Sequence, residues 1–394
     1  MINIQVNGNE VIMKVFKEVN CYIEGFGIIK TSLYYQDGYI QAIGLKDIEA
    51  EEVKVANDWL VLPGFIDQHV HGAAGFDTMD GTIEALSIIS KTIASEGVTT
   101  FCPTTMTQSY ENITMALKNV QEYLKLPQEG ARVHGVHLEG PFIAKDYIGA
   151  QPLKYVQEPN VKLFEQYRAS SGNNIAIVTL APEVSKSDEL IKHLVNEKIV
   201  VSLGHTAARY HDIKNAVNLG ATNLTHTYNA MRPLHHREIG TVGAAFMIDE
   251  LTCEMICDGI HVSIPAMQLL AKIKPIDKLV LVTDAMRAKH LGEGISELGG
   301  QEVMVKNNEA RLMDGTLAGS VLTMEKAVWN AHTLVGLPLT KAIDLATINP
   351  AKLLGIDDLE GSIKVGKKAN FVIVDADFNV QITISEGKII YQKE

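Results

Sequence analysis

Hydrophobic positions follow different periods in different parts of the chain. In the first 60 residues and the last 34, apolar side chains alternate with polar ones, as in segment 39–44. This period of two, interrupted by turn pairs such as Asp37-Gly38, predicts short strands joined by hairpins. Because neither end can bury a sheet face alone, we expect residues 1–61 and 353–394 to pair into one small β-sandwich domain.

Between residues 62 and 352, strand patterns alternate with helical ones. Segment 82–96 places apolar residues on one helical face, and segments 188–197 and 211–219 do the same. The apolar runs of strand length are 60–67, 98–103, 133–139, 175–181, 199–204, 223–226, 253–258 and 278–283. Eight such units predict an α/β fold, a (β/α)8 TIM barrel, in which the active site lies at the C-terminal strand ends.

Composition narrows the possible functions. The chain has 394 residues, 46% of them hydrophobic, and a net charge of -12, which disfavours non-specific binding to nucleic acid. We find no membrane-length apolar run and no signal-peptide pattern, so we expect a cytoplasmic protein. Four cysteines argue against a disulfide framework. Cys253 and Cys257 lie in a strand-like run, where we expect them to pack and not to bind metal.

Side chains of the metal-ligand type stand at the ends of several predicted strands. His69 and His71 are two residues apart, so both can project to the same side of an extended strand. Glu139 ends a buried strand, where a carboxylate is costly unless it is paired or bound to metal. His205 and His226 end later strands. Each alone is more often a core or capping histidine, but together they predict one metal site.

Other polar residues at the same predicted end suggest further roles. Asp284 ends strand 278–283 and is suited to take a proton from a metal-bound water, although it could also cap a helix. His137 points to the same side as Glu139 and could support a ligand. Asp67 precedes the histidine pair on the same face, whereas His134 faces the core.

A second set of residues suggests an anionic substrate. Loop 229–238 carries histidine and arginine side chains, and His261 follows another strand. In a chain of negative net charge, cationic groups at the active end favour an anion such as phosphate. The alternative is a solvated loop that pairs with Glu238. The segment 317–320 contains a glycine that would let backbone approach a ligand closely.

Taken together, these motifs resemble a known family. Run 63–71 is similar to the opening motif of the amidohydrolase superfamily. Further motifs resemble, in the same order, its N-acetylglucosamine-6-phosphate deacetylases. They are His137-Leu138-Glu139-Gly140-Pro141-Phe142, Gly204-His205-Thr206, His226-Thr227-Tyr228-Asn229-Ala230-Met231, His236-Arg237-Glu238, Asp258-Gly259-Ile260-His261 and Thr283-Asp284-Ala285-Met286. The resemblance spans nearly the whole chain and implies a barrel with a small β-sandwich made from both termini.

The resemblance also implies roles for the site residues. Glu139, His205 and His226 would bind the main metal, and Asp284 would be both a ligand and the catalytic acid/base. Because the chain keeps His69 and His71, it resembles members with two ions bridged by Glu139. The residue types suit zinc, iron, manganese or cobalt, and one or two divalent ions per subunit are expected.

The family's substrate contacts map onto nine residues. They are Ala150, Gln151, Asn229, Ala230, Arg237, His261, Leu317, Ala318 and Gly319. The family is typically a homodimer, and the residue matching Arg237 can reach the phosphate in the partner subunit. Some members have histidine at the position of Gln151.

The implied reaction is hydrolysis of the acetamide of N-acetyl-D-glucosamine 6-phosphate to D-glucosamine 6-phosphate and acetate. A metal-activated hydroxide would attack, with Asp284 as base and then acid, in amino-sugar catabolism and cell-wall sugar recycling. A dihydroorotase-like or dipeptidase-like hydrolase is one alternative, but Glu139 stands where its carboxylated lysine would be. A non-catalytic scaffold is the other, although scaffolds tend to lose metal ligands.

Overall fold

A computed structural model describes residues 12–44 and 48–394. The other residues of the predicted terminal domain, 1–11 and 45–47, lie outside the described residues. Strands β1–β22 and helices α1–α10 are numbered in chain order over the part described. No helix in that part is both long and apolar enough to cross a membrane.

The centre of the molecule is a parallel barrel. Its strands are β6 (Phe65–Val70), β9 (Val98–Thr105), β10 (Arg132–Val133) with β11 (Val136–Glu139), β12 (Ile175–Leu180), β13 (Val200–Leu203), β14 (Asn223–Leu224), β15 (Thr252–Ile256) and β16 (Leu279–Val282). Neighbouring strands pair in parallel from β6 through β16. The ring closes where His71 N donates to Ala285 O at 2.9 Å and Asp284 N donates to His69 O at 2.8 Å. The predicted (β/α)8 fold is confirmed.

Helices surround the barrel and cover its strands. They are α1 (Ile83–Ala94), α2 (Tyr110–Tyr123), α3 (Val161–Ser170), α4 (Ser187–Asn196), α5 (Tyr210–Asn218), α6 (Gly240–Met247), α7 (Ile264–Ile273), α8 (Met324–Thr333), α9 (Leu339–Asp344) and α10 (Ile348–Leu353). Helix α1 shows why they form. Thr82 caps its first turn by accepting from Ala85 N, and Leu86, Ile89 and Ile93 are buried.

Both ends of the chain meet in one further sheet. It contains β1 (Lys14–Ile23), β2 (Gly27–Gln36), β3 (Tyr39–Ile43), β4 (Glu51–Glu52), β5 (Leu60–Pro63), β20 (Phe371–Val374), β21 (Val380–Ser385) and β22 (Lys388–Gln392). Strand β5 lies between β1 and β20 and so joins the two ends. Phe16, Leu33 and Phe371 belong to a separate hydrophobic core there. The domain bounds drawn from the sequence stay a prediction.

The prediction of one strand over residues 60–67 was wrong. Strand β5 belongs to the terminal sheet and β6 to the barrel, with Gly64 between them. A Cβ at Gly64 would lie 2.3 Å from atoms of the Thr99 side chain, so only glycine fits this crossing. Because both strands are almost wholly buried, the apolar run continues across the change of sheet.

Two antiparallel additions decorate the barrel. Strands β7 (Gly72–Ala73) and β8 (Phe76–Asp77) form a short hairpin after β6. Strands β17 (Gly294–Leu298), β18 (Gln301–Lys306) and β19 (Glu309–Leu312) form a meander between β16 and α8. The meander was not predicted. Its core includes Met106, Met286 and Leu298, which fix it against the barrel.

Candidate metal centre

Two groups of buried side chains meet at the C-terminal ends of the barrel strands. They are His69, His71 and Asp284 in one group, and Glu139, His205 and His226 in the other. Within each group, the ligand-type atoms lie within 4.8 Å of one another. The structure therefore brings together the six residues that the sequence suggested as metal ligands.

Glu139 belongs to the second group and also contacts the first. Its Oε1 atom lies 3.1 Å from His226 Nε2 and 3.2 Å from His205 Nε2, and its Oε2 atom lies 3.2 Å from His71 Nε2. Burial would raise the pKa of Glu139, but His69 and hydrogen bonds from His205 and His226 hold it well below its usual range. An ionised carboxylate in this position can serve both groups at once.

Asp284 completes the first group. Its Oδ1 atom lies 3.3 Å from His69 Nε2 and 3.2 Å from His71 Nε2. Burial raises the pKa of Asp284, but the two histidines outweigh burial and lower it to about 2. The carboxylate is therefore ionised near neutral pH, as a metal ligand or a general base must be.

Three of the six residues have an unusual backbone conformation. His205, His226 and Asp284 have φ angles of 47°, 30° and 46°, in the left-handed region that non-glycine residues rarely adopt. Each follows the end of a barrel strand by two residues. Such conformations cost about 1–3 kcal/mol each and tend to cluster at functional sites.

The donor set fits a divalent cation. The Nε2 atom of His69 is buried without a hydrogen-bond partner among the described residues, and it faces Asp284. The Nε2 atoms of His205 and His226 lie only 3.1 Å apart. Burial lowers the pKa of His69, whereas Asp284 and Glu139 raise it, to about 9 overall. The negative potential responsible would also hold a metal ion, for which histidine and carboxylate are common ligands.

Glu254, which the sequence analysis missed, lies behind these ligands. Its Oε2 atom is 3.0 Å from His69 Nδ1, and its Oε1 atom accepts from Gln68 Nε2 at 2.8 Å. Burial would raise the pKa of Glu254, but His69, His137 and Gln68 lower it to about 2. A charged residue inside the apolar strand β15 was the available signal, because such a group requires partners.

Two other polar residues that the sequence singled out, His137 and Asp67, have different partners. His137 packs its ring 4.5 Å from that of His69 and bonds Thr179 Oγ1 at 2.7 Å. Burial and the nearby His69 lower the pKa of His137 to about 3, so it is a neutral neighbour of the ligands. Asp67 instead accepts hydrogen bonds from Thr283 and lies in neither ligand group.

A cleft of about 210 Å³ opens above the ligands. Among the predicted substrate contacts, those that line it are Ala150, Gln151, Asn229, Ala230, His261, Leu317 and Gly319. Ala318 is instead packed in the hydrophobic core of the meander. Arg237 is exposed outside the cleft, where its Nη1 atom lies 2.8 Å from His236 Nε2. Within one subunit, the structure does not bring Arg237 to the site.

Gln151 joins the cleft wall to the metal ligands. Its Nε2 atom donates to Glu139 Oε2 at 2.7 Å, and its Oε1 atom accepts from Thr107 N at 2.7 Å. The backbone of Thr107 therefore fixes which end of the amide faces Glu139. The cysteines play no such role, since Cys253 and Cys257 are buried in the barrel core.

Comparison with known proteins assigns this centre to a family. The model of the amidohydrolase family matches residues 60–390. This chain belongs to the amidohydrolase family. Its members are metal-dependent, and the chain is accordingly a metal-dependent hydrolytic enzyme whose two buried groups are candidates to hold the metal.

Individual relatives cover nearly the same length. An N-acetylglucosamine-6-phosphate deacetylase of Bacillus subtilis is 42% identical over 361 residues, which are 90% of this chain and 91% of the relative. An N-acetylgalactosamine-6-phosphate deacetylase of Escherichia coli O157:H7 is 37% identical over 353 residues, covering 90% and 93%. The crystal structure of an N-acetylglucosamine-6-phosphate deacetylase from Thermotoga maritima superposes with a TM-score of 0.87 at 34% identity, covering 96% and 100%. The resemblance inferred from the motifs is confirmed.

Proposed function

We propose that this enzyme removes the acetyl group from N-acetyl-D-glucosamine 6-phosphate, giving D-glucosamine 6-phosphate and acetate. The observation that carries the proposal is the pair of ligand groups joined by Glu139 at the base of a sugar-sized cleft. The relatives named for this reaction support the choice of substrate. Amino-sugar catabolism and cell-wall sugar recycling in the cytoplasm remain predictions.

We assign a role in this reaction to each of the site residues. His69, His71, Glu139, His205, His226 and Asp284 would hold one or two divalent ions. A divalent ion bound there would acidify a water molecule and polarise the amide carbonyl. The ionised carboxylate of Asp284 would accept the proton of the attacking water. It would then return that proton to the nitrogen, because an amide nitrogen leaves poorly as an anion.

We propose that phosphate recognition requires a second subunit. Among the described residues that line the cleft there is no lysine and no arginine, and His261 already bonds Asp258 Oδ2 at 2.7 Å. Asn229 and Ala230 also line this cleft. An exposed Arg237 from the partner of a homodimer would supply the missing charge, and arginine suits phosphate because of its fixed fork of donors.

The alternatives fit the site less well. A hydrolase with a carboxylated lysine needs a lysine beside the ions, and Glu139 occupies the position between the two ligand groups. A scaffold without activity has no need of six buried ligands and three strained backbone positions. An epimeric substrate is the stronger competitor, because the relative from Escherichia coli O157:H7 is named for N-acetylgalactosamine 6-phosphate.

The reaction is tested by measuring amine release from three compounds with the metal-reconstituted enzyme. We expect the highest kcat/KM with N-acetylglucosamine 6-phosphate and a far lower value with unphosphorylated N-acetylglucosamine. A higher value with N-acetylgalactosamine 6-phosphate would assign the other epimer. Equal rates with and without phosphate would overturn the phosphate assignment, and no amine release with any metal would overturn the reaction.

The role of Arg237 is tested by subunit mixing. Arg237→Ala should raise KM for the phosphorylated sugar about tenfold to a hundredfold, since hydrogen bonds to charged groups contribute about 1.5–3 kcal/mol. Mixing Arg237→Ala subunits with inactive Asp284→Asn subunits should restore one site per hybrid dimer. If mixing restores no activity, Arg237 does not act across the interface.

A further inference from the structure

Glu254 is an anionic side chain sealed inside the barrel. It is wholly buried on β15, and four groups donate to its two carboxylate oxygens. Oε1 accepts from Gln68 Nε2 at 2.8 Å and from Asn223 Nδ2 at 2.9 Å. Burying a carboxylate is expensive, so a mere packing role would be filled better by an apolar residue.

The other oxygen of Glu254 contacts both ligand groups. Oε2 lies 3.0 Å from the ring Nδ1 of His69 and accepts at 3.0 Å from the backbone N of His226. His69 belongs to the group with His71 and Asp284, and His226 belongs to the group with Glu139. One oxygen atom therefore restrains the ring of one ligand and the left-handed backbone of another.

The contact also decides the protonation of His69. A carboxylate can only accept, so Nδ1 of His69 carries a proton, and in the neutral ring that binds a metal Nε2 presents its lone pair. That Nε2 atom faces Asp284 and Glu139, at 3.3 and 3.5 Å. Carboxylates bonded to the far nitrogen of a histidine orient the ring and make it a stronger metal ligand.

We propose that Glu254 is a positioning residue of the metal centre. It fixes the ring and tautomer of His69 and the backbone of His226, so that both ligand groups are preformed for divalent ions. The inference rests on the proposed metal-dependent function, but it concerns metal affinity and not the identity of the sugar. Its removal should weaken metal binding even in a protein that remains folded.

Two substitutions separate the charge of Glu254 from its shape. Glu254→Gln keeps an oxygen that can accept from His69 and His226 but removes the charge. Its new amide group would meet Gln68 and Asn223, whose own amide oxygens are buried without partners and can turn to accept. Glu254→Ala removes both functions. Met255→Leu, also buried and on the same strand, is the matched control of similar volume.

The test is titration of Co²⁺ into metal-stripped forms of these variants and of the unmodified enzyme. Visible absorption reports the ligand field, and competition with a chelator gives the dissociation constant. We expect Glu254→Ala to bind about 10- to 100-fold more weakly with an altered spectrum. Glu254→Gln should recover part of the affinity, and Met255→Leu should match the unmodified enzyme.

Each outcome decides the inference. Unchanged affinity and spectrum in Glu254→Ala would overturn it, even if its metal-free form melted at a lower temperature, since that is the signature of packing alone. If Glu254→Ala does not fold, Glu254→Gln decides, and an affinity and spectrum equal to those of the unmodified enzyme would overturn the proposal. An enzyme that binds Co²⁺ in this graded manner yet releases no amine would contradict the proposed reaction and not this role.

Discussion

The metal centre and a second group, buried Glu96 and Lys289 with the exposed His290, are both ionisable clusters, but their hydrogen bonding differs. Lys289 Nζ lies 2.8 Å and 3.0 Å from the two oxygens of Glu96. His290 Nε2 lies 2.9 Å from Glu96 Oε1, and Met324 N donates to Glu96 Oε2 at 3.0 Å. This second group, the Glu96 cluster, balances its charges internally.

In the metal centre, by contrast, some buried polar atoms have no such hydrogen-bond partner among the described residues. His69 Nε2 has no hydrogen-bond partner within the described chain, and the Nε2 atoms of His205 and His226 face each other. Burial and ionisable chemistry are common to both clusters and therefore do not identify a functional site. What distinguishes the metal centre is the set of histidine nitrogens and carboxylate oxygens directed at one another, which a cation would satisfy. We therefore expect substitutions in the metal centre to change activity and substitutions in the Glu96 cluster to change stability.

The largest effect should follow Asp284→Asn. Losing the ionised carboxylate removes the proposed proton acceptor, so kcat should fall about 10²- to 10⁴-fold. Steady-state amine release measures the loss, and cooperative thermal unfolding of the metal-free protein serves as the control that the variant is folded. A variant that keeps its full rate would show that Asp284 is not the acid/base.

For Glu96→Gln we expect a loss of stability without a loss of metal affinity. It leaves Lys289 buried without its partner charge, so the free energy of unfolding should fall by about 3–5 kcal/mol. Chemical denaturation measures this, and the companion variant Glu96→Gln with Lys289→Met should regain part of the stability. The Co²⁺ affinity of the folded Glu96→Gln protein should not change, and a large loss of affinity would remove the distinction between the two clusters.

Removing metal should also destabilise the protein, because an ion that binds only the folded state stabilises that state. With free metal at a hundred times its dissociation constant, the bound protein gains about 2.7 kcal/mol over the stripped form. Denaturation with and without a chelator measures the difference, and re-addition of metal should restore it. The Glu96→Gln protein should show the same gain, since its metal centre is intact. Equal stability with and without metal would mean that the centre holds no ion.

The smallest effect concerns Glu325, next to the Glu96 cluster. Burial and the charge of Glu96 raise the pKa of Glu325 from 4.5 to about 7. A raised pKa favours the folded state below pH 4.5, and this contribution is lost as pH rises through about 7. Glu325→Gln should therefore stabilise the protein at pH 8 by about 1–2 kcal/mol and leave stability at pH 4.5 nearly unchanged. Denaturation at the two pH values measures this, and an equal effect at both would show that ionisation is not the cause.

The sequence predicted the barrel and the convergence of the ligands for a simple reason. Parallel strands end on one side of a barrel, so a ligand-type residue after each strand must approach the others. His205 and His226 were recognisable because each ends an apolar run. The pairing of both chain ends in one sheet followed from their similar alternation and the need to bury a face.

What the sequence left unpredicted depends on contacts between distant residues. Lys289 and Glu96 are 193 positions apart, and no local pattern pairs them. Glu254 lies 185 positions from His69, and only its charge within an apolar strand hinted at a partner. The change of sheet at Gly64 is hidden because burial, not strand membership, sets the hydrophobic pattern. The role proposed for Arg237 involves a second subunit, which one chain cannot show.

The most direct test of the proposed metal-dependent deacetylation is amine release from N-acetylglucosamine 6-phosphate while divalent metal is titrated into the stripped enzyme. We expect no turnover without metal and activity that rises in proportion to the ions bound, as measured by elemental analysis of the same samples. Full turnover by protein shown to be free of metal would contradict this expectation.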